Sequence, residues 1–331
     1  MSFYECTKLT HVTIPSSVKT IESYAFYECS SLVELTLSEN LIEIEDSAFK
    51  GCKSLKQVTI PSSVTTIGES AFSGCSSLVG IFLSLSLNII GREAFYYCEK
   101  LRQIEIPPSV TIIEIGAFES CHSLQQVVIS SSLITSIECK TFQDCSSLKE
   151  ITIPSSVTDL GRSAFDKCTS LHEIKLHDSI ESIGKNCFNS CSIVTFSIPP
   201  LVECIEDGTF YSCQSLVQIS IPPSVESIGE CAFYNCSQLS RVENHGSLAK
   251  IGDFSFYGCS KMTEFEFSSS VWSIGESAFY GCSSLEKIII HALIKNVEAN
   301  AFNGCTAIKE IECPSSIDRK VVELNLGIKI A

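Results

Sequence analysis

The chain has 331 residues, 44% hydrophobic and 18% charged, with 38 acidic against 23 basic side chains and a net charge of −15. Its dense Ile, Val, Leu and Phe content excludes a disordered chain. The charge argues against nucleic acid or an anionic membrane as partner, since both need basic patches, and no apolar run approaches the roughly 18 residues of a transmembrane helix.

The N-terminal MSFYECTKL has no basic region followed by an apolar run, so it reads as the inside of a repeat and not as a secretory signal. Phe then recurs as Phe3, Phe26, Phe49, Phe72, Phe95, Phe118, Phe142, Phe165, Phe188, Phe210, Phe233, Phe256, Phe279 and Phe302. Eleven of the thirteen intervals are 23 residues, Phe118 to Phe142 is 24, and Phe188 to Phe210 is 22. Cys stands three positions after every one of these Phe residues. A fixed period of this length predicts a solenoid, in which each copy buries its apolar face only by stacking on its neighbours. The repeat overrides the two or three domains that length alone would suggest.

Within one copy, Val58 and Ile60 are two apart and predict a strand with Gln57 and Thr59 on its other side. Pro61, with no N–H for a ladder, ends it. Ser62 and Ser63 make a corner, Val64 and Ile67 an apolar return, and Gly68 a tight bend. Glu69 to Phe72 reads as a short helical turn that points Phe72 and Cys75 inward together. The predicted core therefore includes Phe72, Phe95, Phe118, Phe142 and Phe165 with Cys75, Cys98 and Cys121.

Along the first nine copies, proline occupies the strand exit alternately. Pro15, Pro61, Pro107, Pro154 and Pro199 are interleaved with Ser38, Ser84, Ser130 and His177, a super-period of 46 residues. The longer and shorter copies should each carry a local kink or bulge. From about residue 239 the copies loosen: Asn244 replaces a strand Ile, Phe265 and Phe267 replace aliphatics, and Trp272 enters a return. At the end, Val322, Leu324, Leu326, Ile328 and Ile330 alternate with polar residues and Gly327. That predicts a half-buried strand capping the last coil, giving a repeat region over 1–317 and a partial cap strand over 318–331. No matching cap precedes the first copy, which makes that end the expected place for end-to-end self-association.

Fourteen of the nineteen cysteines form the repeat column. Their side chains point in parallel into the core, so they are expected to be free thiols packed as small hydrophobes. The other five (Cys139, Cys187, Cys204, Cys231 and Cys313) share no column in adjacent coils. C-x-x-C is absent, which removes zinc and thioredoxin-like readings. None of the six histidines has a converging carboxylate or thiolate implied by the columns, and there is no phosphate-binding loop or nucleophile motif. No metal, cofactor or enzymatic activity is expected.

The phrase carried by Leu55, Val58, Ile60, Pro61, Val64, Ile67, Gly68, Ala71, Phe72 and Cys75 resembles the BspA-like leucine-rich repeats of microbial surface proteins, over about residues 2–317. The resemblance implies a right-handed coil of about fourteen 23-residue units, with a parallel sheet on its concave side and short strand and helical-turn segments on the convex side. It also implies a non-catalytic scaffold, commonly an adhesin or surface antigen that binds protein or glycan. The thiols and the absent signal favour an alternative, an intracellular interaction or assembly module, so both cell surface and cytoplasm stand as locations.

What remains for function is surface, with the outward faces of the strands first in line and the convex return and the repeat rims next. Most of those positions hold Thr, Gln or Glu, as solvated strands do. Phe82 and Val128 break the rule. With Glu105 between them and Gly80, Gln103 and Gln126 alongside, they form the candidate ligand-binding patch, an aromatic anchor beside amides.

Overall fold

The computed structural model describes residues 2–317 and 319–328 and divides into two compact units, Met1–Leu176 and His177–Ala331. Each unit is a parallel β-solenoid whose coils follow the 23-residue period. Every coil contributes one strand of three or four residues, a second strand of two residues, and a turn that carries the Phe and the Cys.

The Phe column is the spine of both units. In the first, seven successive pairs from Phe3–Phe26 to Phe142–Phe165 stack with centroids 5.0 to 5.6 Å apart and planes within 13°. In the second, Phe188 to Phe302 stack likewise at 5.0 to 5.6 Å. Phe72, Phe95, Phe118, Phe142 and Phe165 are fully buried, as are Cys75, Cys98 and Cys121. Phe265 and Phe267 join this core edge-on, 5.0 and 5.5 Å from Phe279.

The thiols do more than fill space. Each column thiol with a described bond donates to the carbonyl of the Phe in the preceding coil, as in Cys75 Sγ to Phe49 O at 3.3 Å and Cys98 Sγ to Phe72 O at 3.3 Å. That carbonyl already accepts the N–H of its own coil's Cys, as Phe72 O does from Cys75 N at 3.1 Å. The sulfur thus occupies the second lone pair of a buried oxygen. No cysteine among the described residues is in a disulfide. Burial pushes the Cys75 and Cys121 thiols up to about 12, so they are protonated donors and not nucleophiles.

The segment expected as a helical turn is a run of tight turns. Ser70 and Gly74, two residues either side of Phe72, have φ of 53° and 71°. Positive φ recurs at these two positions through the chain, largely in Ser, Asn, Glu and Gly. The reversals send alternate N–H groups outward along the stack: Ser70, Phe72 and Gly74 donate to Arg92, Ala94 and Tyr96 of the next coil at 2.7 to 2.8 Å. Ala71, Ser73 and Cys75 bond three residues back within their own coil. A helix would turn all these donors inward on itself and leave the coils without this ladder.

Gly68 is not a bend residue. A Cβ there would lie 2.7 Å from Asp46 N, and one at Gly91 2.7 Å from Gly68 C, so the glycine permits close approach of neighbouring backbones. Other coils place Glu in this slot. In both cases a carboxylate of the next or preceding coil caps the N–H that follows the slot: Asp46 Oδ1 accepts from Glu69 N, after Gly68, at 2.8 Å, and Glu45 Oε2 accepts from Ser23 N, after Glu22, at 2.9 Å. Part of the acidic excess is therefore structural.

The prolines divide the strand sheet of the first unit. His11–Thr13 pairs with Glu34–Thr36, Gln57–Thr59 with Gly80–Phe82, Gln103–Ile106 with Gln126–Ile129, and Glu150–Thr152 with Glu173–Lys175. Where the pairing extends into the exit slot, its residue donates backward, as Ser130 N does to Ile106 O at 3.0 Å. Pro61, Pro107 and Pro154 cannot donate, and the ladder breaks at each of those coils. The second unit does not keep this rule. There Thr195–Ser197 pairs with Gln218–Ile221 despite Pro222, and the break follows Arg241–Asn244. Asn244 at that break is satisfied by side-chain bonds, donating to Glu266 O at 3.0 Å and accepting from Gly246 N at 3.1 Å.

The two-residue strands form a five-membered ladder from Thr20–Ile21 to Ile112–Ile113. It stops before Ser136–Ile137, at the 24-residue copy, where the extra residue shifts the register. The expected cap strand is corrected: Arg319–Leu326 is an α-helix. Val322 and Leu326, four apart, are buried while Leu324 is 84% exposed, which is helical and not strand periodicity. Lys329 and Ile330 lie outside the described residues.

Four buried side-chain atoms, on Gln143, Ser156, Asp166 and Ser255, lack a hydrogen bond among the described residues, and of these only Asp166 is ionisable. Asp166, next to Phe165 in the turn, is 7% exposed. Its Oδ2 accepts from Gln143 Nε2 at 3.2 Å, and its Oδ1 has no hydrogen bond among the described residues. Burial pushes its carboxyl up to about 6, against the opposing pull of Lys167. A pKa raised on folding stabilises the protein below the unfolded value of about 4, and that stability is lost as pH rises through about 6. Asp166→Asn is therefore expected to raise the melting temperature at pH 7 and to flatten its fall between pH 4 and 7. Parallel pH–Tm curves for the two proteins would refute the assignment.

Candidate functional site

The outward positions of three successive long strands in the first unit supply the patch. Strand alternation points Ile81, Ile104 and Val127 inward, where they are buried, and sends their neighbours to solvent. Phe82 is 57% exposed and Val128 43%. Neither is a core residue, so the strand phase expected for these copies is correct.

Ile81, Phe82, Gln103, Ile104, Glu105, Gln126 and Val128 line one shallow concavity of about 200 Å³. Gly80 contributes by omission, since a Cβ built there would meet nothing within 4 Å. Gln103 and Gln126 are register partners, as are Glu105 and Val128. The Gly80–Phe82 strand lies beside them across a ladder break and is not hydrogen-bonded into the same sheet. The patch thus straddles a junction set by Pro107.

The surface continues past the expected residues. A second concavity of about 270 Å³ shares Gln126 and Val128 with the first and adds Ile129, Glu150, Ile151, Thr152, Pro154, Glu173 and Lys175. Glu150 and Glu173 face each other in register, and Lys175 Nζ sits 3.5 Å from Glu173. These charged residues occupy the same two outward columns as the apolar ones. A search for residues that break the polar pattern passes over them, because Glu and Lys on a solvated strand look ordinary.

Among the described residues no group of three or more His, Cys, Asp or Glu side chains is arranged to hold a metal ion. His122 pairs with Asp144 at 3.1 Å and His291 with Glu266 at 2.7 Å, both at the surface. No helix among the described residues is long and apolar enough to cross a membrane.

A protein of Bacteroides ovatus described as a leucine-rich repeat protein is 28% identical over 97% of this chain and 91% of its own, with a TM-score of 0.77. A leucine-rich cell surface protein of Faecalibacterium prausnitzii is 30% identical over 94% of this chain and 88% of its own, with a TM-score of 0.60. The pneumococcal vaccine antigen PcpA, 20% identical over 97% of this chain and 88% of its own with a TM-score of 0.53, shares the fold. Curated proteins give no match. The family model described as the BspA type leucine-rich repeat region matches residues 1–125, 88–217 and 203–321. With stacked Phe and Cys columns in both units and these matches along most of its length, the chain belongs to the BspA-type leucine-rich repeat family.

Proposed function

We propose that the protein is a non-catalytic binding scaffold of the cell-surface, adhesin-like kind, and that the strand face around Phe82 and Val128 holds its partner. The observation that carries this reading is the pair of half-exposed apolar side chains on an otherwise polar face, facing one concavity. An exposed aromatic in such a setting is the usual anchor of an interface. The 30% identity to a protein described as a leucine-rich cell surface protein supports the location. An intracellular interaction module is the second reading, favoured by a cysteine-rich core without disulfides among the described residues; tagging the native protein and fractionating its cells decides between them.

The repeat body over 1–317 is the binding part in this reading. Within 318–331, the helix Arg319–Leu326 covers the last coil through Val322 and Leu326.

The test is an array of extracellular-matrix proteins and glycans probed with the wild type and with Phe82→Ser. Binding to at least one class should be lost in the variant, with stability changed by no more than about 0.5 kcal/mol, as for a surface position. Retained binding in the variant would move the site off this face.

A further inference from the structure

On the reading that this face binds, we infer that its occupant is an extended polypeptide segment, apolar at one end and carrying lysine or arginine at the other. The argument rests on the two concavities taken together. They share Gln126 and Val128, so they form one trough running from Phe82 to Lys175 across five adjacent strands.

The trough is apolar at one end and acidic at the other. Phe82 and Val128 supply the apolar end. Beyond them Glu150 and Glu173 stand in register on paired strands. Like charges directly opposite one another destabilise a sheet, and nothing in the stacking of the coils requires them. Lys175 contacts Glu173 at 3.5 Å, while Glu150 has no ion pair among the described residues. Arg102 and Lys149, exposed one residue before their strands, pair with neither carboxylate. An incoming ammonium or guanidinium seated between Glu150 and Glu173 relieves their repulsion. Glu105, between Phe82 and Val128 at the apolar end, adds to the bias against anions.

Geometry matches an extended chain. Phe82 to Glu173 is four strand spacings, about 19 Å, which about six extended residues span at roughly 3.3 Å each. Neutral glycans have apolar ring faces for Phe82 but no cation for the carboxylates. Sulfated and sialylated glycans bring the wrong sign. A polypeptide supplies both kinds of group at alternate positions on one face.

The experiment selects from a display library of nine-residue peptides on the immobilised full chain. It then measures affinity for an enriched peptide, for its Lys/Arg→Glu counterpart, and for a neutral N-acetyllactosamine oligomer. The enriched sequences should carry apolar residues in one half and Lys or Arg in the other. Glu150→Gln with Glu173→Gln should weaken the peptide about tenfold at low salt, with the loss shrinking as salt rises, as expected of two exposed ion pairs. The same double variant should melt no lower than the wild type, since it removes a repulsion. No enrichment, or enriched peptides indifferent to the double variant, overturns the inference. If the glycan binds instead and is lost in Phe82→Ser but not in the double variant, the inference fails and the face still binds. If nothing that binds responds to Phe82→Ser, the face itself is wrong.

Discussion

Phe95→Ala should destabilise the protein by about 3–5 kcal/mol, the range for emptying a buried Phe site. The ring lies between Phe72 at 5.6 Å and Phe118 at 5.3 Å, both nearly parallel to it, and is fully buried. Removing it opens a void in the middle of the column. The gap cannot close easily, because the backbone on either side is held by the turn ladder and the ladder of two-residue strands, whose spacing is set by hydrogen bonds. The loss is therefore expected toward the upper end of the range. Urea unfolding at pH 7 measures it, with Phe82→Ser as the surface control. A loss below about 1 kcal/mol would show that the stack contributes little and that the ladders alone hold the coils together.

The largest effect is expected from a deletion out of phase with the repeat. Removing residues 37–59 takes out one 23-residue copy and joins Thr36 to Ile60, two points at equivalent places in successive coils. Phe26 then stacks on Phe72, and the thiol of Cys75 meets the carbonyl of Phe26. Coils contact only their neighbours, so this shorter chain should fold, with the Phe82 face intact. Removing 37–48 takes out the second strand of that coil and puts the coils on either side of the junction out of register, so the stack should break there. Circular dichroism and thermal melts of the two deletions read the difference. Equal unfolding in both would overturn the repeat as the unit of stability.

Much of this was legible in the amino-acid order because the pattern is repeated fourteen times. Val58 and Ile60 announce a strand, and its exposed partners Gln57 and Thr59 follow from the pleat. The exposure of Phe82 was readable for the same reason: it sits where Thr59 sits. What period alone misreads is backbone shape. The Glu69–Phe72 spacing suits a helical turn, and only the positive φ at Ser70 and Gly74 shows that alternate N–H groups leave the coil. Gly68 looked like a bend because glycine has two uses, and sequence does not distinguish a turn from a close contact. Val322 to Ile328 obeys a period of two and, at Val322 and Leu326, a spacing of four, so a short stretch fits both a strand and a helix. The acidic end of the trough was hidden for a different reason. Its meaning lies in which carboxylates become neighbours across strands, and that is a property of register.

Two of the three ladders of the first unit are interrupted, but never at one level. The long-strand sheet is cut at each coil that brings a proline, including the one between Gln126–Ile129 and Glu150–Thr152. The two-residue strands are cut one coil earlier, between Ile112–Ile113 and Ser136–Ile137. The turn ladder runs through both places, with Phe118 N to Thr141 O at 3.0 Å and Phe142 N to Ala164 O at 2.9 Å. The joints are staggered like those of a brick wall. A load along the stack finds no course where all the mortar is missing, so under tension this unit has no built-in plane of fracture and yields by peeling coils from an end.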